Sequence, residues 1–487
     1  MNTVFCNIRL LLFAILIPTS LTVLIAQPSL SKDEAQVLES IDQNTAHYSD
    51  IAQQIWSWAE LGYQEQQSST LLQSELSAAG FAVETGVADI PTAFVASFGS
   101  GSPVIGILGE FDALPGVSQA AVAHKQARAE SANGHACGHH LFGTASAAAV
   151  IAVKDWLVRS GTSGTIRFYG TPAEEGGAGK VYMTRAGLFD DVDAVLHWHP
   201  GDGNSADAGS TLSNMSAKFR FYGQASHAAA APHRGRSALD GVEAMNYMVN
   251  LMREHVSEKT RIHYVITRGG EAPNVVPAFA EAFYYVRHPD RAEVKRLFER
   301  LVLAAEGAAK GTETQMEYEI IHGSYNLMPN KTLAELMHQN LERVGGVVYT
   351  DQEKNFADSI LQTLNRPGIT LDQAERIQPF NPSPGVYPAS TDVGDVSWVA
   401  PTTGLRTATW VPGTSAHSWQ AVAAGGMSIG KKGMIVAAKT ISLTAMDLFR
   451  APEICERAKA ELQERTGADF QYEALLGDRE PPLDYRK

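Results

Sequence analysis

Residues 103–111 read PVIGILGEF and run straight into DALPG (112–116). An apolar run broken by a Pro/Gly turn reads as a buried strand whose end delivers an acid, Asp112. Two later segments repeat the arrangement: TIRFYG (165–170) runs into TPAEEGG (171–177), and DAVLHW (193–198) into His199-Pro200. LFGTASAAAVIAVKDWL (141–157) lies between the first two as a small-residue helix suited to close packing, and residues 178–188 form a second helix before the third strand. Strands alternating with helices over short links predict an α/β fold, a mostly parallel sheet covered by helices. Upstream, Ile51, Ile55, Trp58 and Leu61, then Leu71, Leu72, Leu76 and Ala79, recur at helical spacing. Residues 118–134 are small and polar and read as a loop.

The pattern changes near residue 211. SAKFRFYG (216–223) alternates like a half-exposed strand, and SALDGVEAMNYMVNLMREHV (237–256) is a long amphipathic helix. IHYVITRGG (262–270), AEAFYYVR (280–287) and TQMEYEII (314–321) read as strands, with a helix at 291–309. The order β-α-β-β-α-β is that of a ferredoxin-like α+β unit. The expected division is therefore an α/β domain over 27–211 and 326–450, an inserted second domain over 212–325, and a C-terminal arm over 451–487. The second α/β part begins with TLAELMHQNLERVG, passes a polar loop at 365–390 and ends in a helix near 432–449.

The chain has 487 residues, 44% of them hydrophobic and 19% charged, an ordinary globular balance that excludes a disordered or coiled-coil architecture. A formal net charge of −14 argues against nucleic acid as a partner. Residues 1–26 carry one Arg ahead of an apolar run and read as a signal peptide cleaved near Ala26, with a retained anchor as the alternative. That predicts a periplasmic or secreted protein with no membrane association after cleavage. No other apolar run is long enough to span a bilayer. The three cysteines, Cys6, Cys137 and Cys455, are too few for a disulfide framework.

The metal-binding residue types gather at the predicted strand ends, where open α/β sheets place their sites. Asn133-Gly134-His135-Ala136-Cys137-Gly138-His139-His140 precedes the small-residue helix, whose positive end would favour a thiolate. A thiol, imidazoles and carboxylates suit zinc, while the oxygen donors also admit manganese or cobalt. Adjacent Glu174 and Glu175 allow one to bind metal while the other acts as general base on an activated water.

GEFDALPG, NGHACGHH, GTPAEEGGAGK, LHWHP, GQASHAAAAPHRGRSALD, APNVVP, ASTDVGDVSW and GTSAHSWQ together resemble the signatures of the dinuclear metallo-aminoacylase/carboxypeptidase family, metallopeptidase family twenty. The resemblance runs from about residue 38 to 450 and is nearest to the branch containing p-aminobenzoyl-glutamate hydrolase. It implies two divalent metal ions per subunit (zinc or manganese, cobalt possible) held by Cys137, His139, Glu175, His199 and His417. It implies Glu174 as general base, Asp112 as the acid that orients a ligand, and His227 and Asn274 as contacts to the scissile carbonyl. It also implies a homodimer through the inserted domain, with His227 acting in the partner's site. His140 stands where many relatives have Asp. Asp392 and Asp395 read either as supports of the ligands or as turn caps, and His233 and Arg236 as candidates for a substrate carboxylate. The function so implied is metal-dependent hydrolysis of an amide between an acyl or aroyl group and an amino acid, p-aminobenzoyl-glutamate being the first candidate. A dipeptide, an N-acyl amino acid or another aryl amide is the alternative substrate, and a catalytically silent binding protein on the same fold is the distant rival.

Overall fold

The computed structural model describes residues 30–486. The signal segment expected at 1–26 lies outside the described residues.

In chain order the first strands are β1 (Ala82–Thr85), β2 (Phe94–Ser100), β3 (Val104–Gly109), β4 (Gly164–Gly170) and β5 (Ala194–Gly201). Next come β6 (Ser213–Tyr222), β7 (Arg261–Arg268), β8 (Phe279–His288) and β9 (Gln315–Ser324), and last β10 (Thr402–Ala408). They form two sheets, one of order β1-β2-β4-β3-β5-β10 and one of order β7-β8-β6-β9.

In the first sheet β4, β3, β5 and β10 are parallel, and β2 and β1 close one edge antiparallel. Every residue of β3 is buried, which is why its sequence is an apolar run rather than an alternation. The chain leaves β3 for β4 on one side and returns to β5 on the other. That reversal opens a crevice beyond the carboxyl ends of the strands. Helix His139–Ser160 lies across the sheet with nearly all of its first half buried. Its small residues permit a close approach: a Cβ at Gly143 would stand 2.7 Å from the Glu110 carbonyl oxygen. Among the described residues it is also the one helix long and apolar enough to cross a membrane, but it is a core helix, packed against helix Ser428–Arg450.

The second sheet is antiparallel throughout and carries helices Ala238–Met252 and Arg291–Thr312 over a separate apolar cluster that includes Phe219, Val242, Tyr284 and Leu297. The helix expected over 237–256 is shorter. The Ser237 hydroxyl accepts from the Asp240 N–H at its start, and it gives way to a tight turn at Arg253–His255.

Several elements differ from the sequence reading. Helices Asp351–Leu364 and Val393–Val399 and strands β2 and β10 were not anticipated. β5 also continues to Gly201 through its pairing with β10, so His199 lies within the strand and not beyond its end. Residues after helix Glu453–Thr466 form no regular element, but they fold back onto the catalytic face.

Candidate metal centre

Asp112 anchors the site from the end of β3. It is 1% exposed; Oδ1 accepts from His139 Nδ1 at 2.8 Å, and Oδ2 accepts from the Glu175 N–H at 2.9 Å. One carboxylate thus orients both an imidazole and the loop after β4. With Nδ1–H directed at Asp112, the His139 ring turns Nε2 toward the other donors. His199 is set the same way, its Nδ1–H directed at the Pro200 carbonyl at 2.7 Å, and its Nε2 lies 3.4 Å from Cys137 Sγ.

Two backbone features bring these donors together. Gly138 has φ 80°, and a Cβ there would stand 2.7 Å from the Pro200 side chain, so the Cys137-Gly138-His139 turn requires glycine. Ala173 and His417 adopt φ 59° and 60°, a costly conformation for residues with a Cβ. Both are held there by hydrogen bonds: the Ala173 N–H donates to buried Glu65 Oε1 at 2.9 Å, and the His417 N–H to the Ala136 carbonyl at 3.0 Å. Strain secured in this way is typical of functional loops.

The donor atoms fall into two triples, Cys137–His139–His199 and Cys137–Glu175–His417, each with all its atoms within 4.8 Å of one another. Cys137 belongs to both, so these residues would supply donors for two cations. A third group, His139–Glu174–Glu175, sets Glu174 beside them. His417 Nε2 lies 3.2 Å from Glu175 Oε1. The residues fit divalent metal on a further count: His139 Nε2 and Glu175 Oε1 are buried, and each meets only one other titratable side chain, Glu110 at 3.1 Å and His417 at 3.2 Å. A cation bound among these donors would satisfy them more fully than the single contact each makes.

Electrostatics follow from burial among carboxylates. Burial, then the neighbouring Glu110 and Glu175 charges, push the Glu174 carboxyl well above its usual range. Burial alone would depress His139, but Glu110 and Asp112 outweigh it and raise its pKa well above normal. Burial, with Arg406 and His139 nearby, holds His199 neutral. Burial and the Glu175 charge raise the Cys137 thiol, so the helix end does not by itself produce the thiolate anticipated from the sequence. A coordinated divalent cation would draw that proton off. Cys137 and Cys455 are both free thiols.

Behind the donors lies a charge chain that the sequence reading did not identify. Glu110 Oε2 is 3.1 Å from His139 Nε2, and its Oε1 is 2.7 Å from Nζ of fully buried Lys180. Lys180 Nζ also donates to Asp392 Oδ1 at 2.7 Å, and its N–H donates to Oδ2 at 3.0 Å. Asp392 is therefore an ion-pair partner separated from His139 by two residues, Lys180 and Glu110. Asp395 instead accepts from the Tyr325 N–H and the Tyr472 hydroxyl, joining the inserted unit to the C-terminal arm, and burial pushes its pKa up to about 7. The arm reaches the site as well: Arg486 Nη2 and the Tyr485 hydroxyl donate to the Glu175 carbonyl at 2.6 and 3.2 Å. The His135 and His140 rings pack at 4.8 Å, tilted by 49°, held neutral by burial and donating to the Ile55 and Gly425 carbonyls, which makes both structural.

His227 and Asn274 meet each other on the inserted unit: His227 bridges to Val275, and the Ala228 N–H donates to the Asn274 carbonyl at 3.0 Å. Both are exposed, and neither lines the cavity above the donors. Nδ1 of His227 accepts from the Ala229 and Ala230 N–H groups, leaving Nε2–H as an outward donor. His233 and Arg236 are also outside the cavity, and Arg236 is paired with Glu313.

Residues 106–361 match the family model described as Peptidase family M20/M25/M40. The chain is 43% identical over 453 residues to the B-type subunit of p-aminobenzoyl-glutamate hydrolase from Escherichia coli (strain K12), covering 88% of this chain and 94% of that protein. The chain belongs to peptidase family M20/M25/M40. It is a metal-dependent amidohydrolase. The Xaa-Arg dipeptidase of Mus musculus is 29% identical over 90% of this chain and 93% of its own. Among solved structures, an M20 dinuclear metal-binding peptidase from Bacillus subtilis shares the fold at TM-score 0.57 and 17% identity, over 84% of this chain and 99% of that one.

Proposed function

We propose that the protein hydrolyses the amide of p-aminobenzoyl-glutamate or a closely similar acyl amino acid. The observation that carries this reading is the pair of donor triples sharing Cys137, with Glu174 beside them as an additional carboxylate. The printed name of the 43% identical relative supports the choice of substrate, while the likeness to a dipeptidase keeps a dipeptide as the second reading. The retained donor set and Glu174 speak against a silent binding protein.

Cys137, His139 and His199 would hold one divalent ion, and Cys137, Glu175 and His417 the other, as zinc or manganese with cobalt also compatible. Bound there, the metals supply a Lewis acid and lower the pKa of a water to about 7. Glu174 takes the proton of the attacking water and returns it to the departing amine, a role its carboxylate can fill from beside the donor triples. Asp112 keeps His139 in the tautomer with Nε2 free and holds the Glu175 loop. His227, through its Nε2–H, stabilises the carbonyl oxygen as negative charge develops, with Asn274 beside it.

Because His227 and Asn274 stand outside the cavity of their own chain, we read the enzyme as a homodimer in which each inserted unit serves the partner's site. Exposed Tyr247, Met248 and Leu251 on the inserted helix and Val265 and Ile266 on β7 are an apolar surface consistent with such pairing. The Escherichia coli relative is named as one of two kinds of subunit, which makes pairing with a second kind of chain the competing arrangement. Mixing Glu174→Gln with His227→Ala protein restores activity only if His227 acts across the dimer. Export to the periplasm or medium through residues 1–26 is part of the same proposal, and N-terminal sequencing tests it.

The test of the reaction separates the two glutamates. Glu174→Gln should keep bound metal and lose several orders of magnitude in kcat, whereas Glu175→Gln should lose metal. The reverse pattern in elemental analysis would exchange their roles.

A further inference from the structure

The cavity above the donors has a volume of about 370 Å³ and continues over β10 to residues that the reaction scheme does not use. Its lining includes four acids, Glu110, Glu174, Glu175 and Asp207, and a single guanidinium or ammonium group, that of Arg406. The sheet register locates that group. His197 on β5 lies beside Gly404 on β10, and His199 beside Arg406. A Cβ at Gly404 would overlap the His197 ring, so position 404 faces the same side as His197. Side chains alternate along a strand, so position 406 faces that side too, its backbone one strand spacing of about 4.8 Å from that of His199.

Arg406 is otherwise uncommitted. Its guanidinium stands 5.7 Å from the Tyr387 ring centroid and forms no ion pair with a carboxylate among the described residues. Asp207, the acid on the same wall, accepts from the Tyr387 hydroxyl at 2.7 Å. His197 lines this wall as well, and its Nε2 has no hydrogen-bond partner.

We infer that Arg406, flanked by His197, is the subsite for a carboxylate on the amino-acid side of the substrate. The inference rests on the amidohydrolase reading and deepens it. Glu110 is paired with Lys180, so among the lining residues Arg406 is the one guanidinium or ammonium group free to receive a substrate carboxylate. The α-carboxylate carbon lies two bonds, about 2.5 Å, from the scissile nitrogen. It must therefore settle within one or two strand spacings of the donors, where Arg406 stands. A planar guanidinium binds such a carboxylate through two parallel N–H···O bonds, a geometry lysine cannot reproduce.

Arg406→Met keeps the length of an exposed side chain and removes its charge. For p-aminobenzoyl-glutamate it should raise KM roughly 10- to 100-fold while kcat changes only about two- to threefold, with metal content unchanged. Arg406→Lys should fall between wild type and Met. An unchanged KM, or a kcat that falls together with metal content, overturns the assignment. Calorimetric titration of the metal-loaded proteins with free glutamate separates this from failure of the reaction itself. If wild type does not cleave p-aminobenzoyl-glutamate, binding of glutamate roughly tenfold weaker in Arg406→Met still supports the subsite, and equal or absent binding in both proteins overturns it.

Discussion

Replacing Lys180 by Met should destabilise the protein strongly although the side-chain volume is nearly kept. Lys180 Nζ lies 2.7 Å from Asp392 and 2.7 Å from Glu110, and both acids are 1% exposed. The substitution leaves Asp392 unpaired in the interior and Glu110 with only the His139 imidazole. Burial already raises the Glu110 carboxyl, so that acid can take up a proton at modest cost. Asp392 would keep the residue 180 N–H at 3.0 Å but lose its only close cation among the described residues. Removing one partner of a buried pair costs about 3–5 kcal/mol, a large part of the roughly 5–15 kcal/mol that holds a domain folded. Urea unfolding of the metal-free protein, followed by circular dichroism, should show a loss of that size at an unchanged slope. Lys180→Met/Asp392→Asn should recover much of it, because the second change removes the unpaired charge. A single variant within about 1 kcal/mol of wild type, or a double variant no more stable than the single one, would refute the reasoning.

Three further outcomes can be checked separately. Cys137→Ser should reduce bound metal and activity together, since the sulfur belongs to both donor triples; full metal content in the purified variant would exclude it as a ligand. Arg486→Ala should weaken metal retention roughly tenfold in competition with a chelator, because the arm holds the Glu175 carbonyl, while leaving the unfolding midpoint nearly unchanged. His322 is buried, which lowers its pKa to about 4, so the folded state binds fewer protons than the unfolded state between that value and about 6.5. The stability it contributes is fully present above pH 6.5 and is lost as pH falls toward 4. His322→Gln should therefore flatten the stability profile in that window by about 1.4 kcal/mol per pH unit, and an unaltered slope would contradict its burial as a neutral ring.

The parts of the fold legible in the sequence were those whose cause is local. β3 is an apolar run because both faces of a central parallel strand are covered, and the donors stand out because Cys137-Gly138-His139 and Glu174-Glu175 are contiguous. β10 was missed because TTGLRTA (402–408) is rich in Thr and Gly, and only its pairing with β5 makes it a strand; the same pairing carries β5 past His199. Lys180 gave no signal because its partner Asp392 is 212 positions away. The same holds for Arg486, which meets Glu175 across 311 positions. Glu65 and Glu110 lay in segments whose neighbours are apolar or turn-like, so nothing in composition marked them as buried acids. His233 and Arg236 drew attention through proximity in sequence to His227, whereas the cation on the cavity wall, Arg406, sits in the strand that was not recognised.

The central claim, metal-dependent cleavage of an acyl–amino acid amide with Glu174 as base, is tested most directly by product analysis. Chelator-stripped protein and the same protein reloaded with zinc or manganese are each incubated with p-aminobenzoyl-glutamate, and p-aminobenzoate and glutamate are quantified by chromatography. The account predicts equal amounts of both products from the reloaded wild type, and essentially none from the stripped protein or from reloaded Glu174→Gln. Undiminished release by fully stripped protein, or by Glu174→Gln with its metal in place, would contradict it.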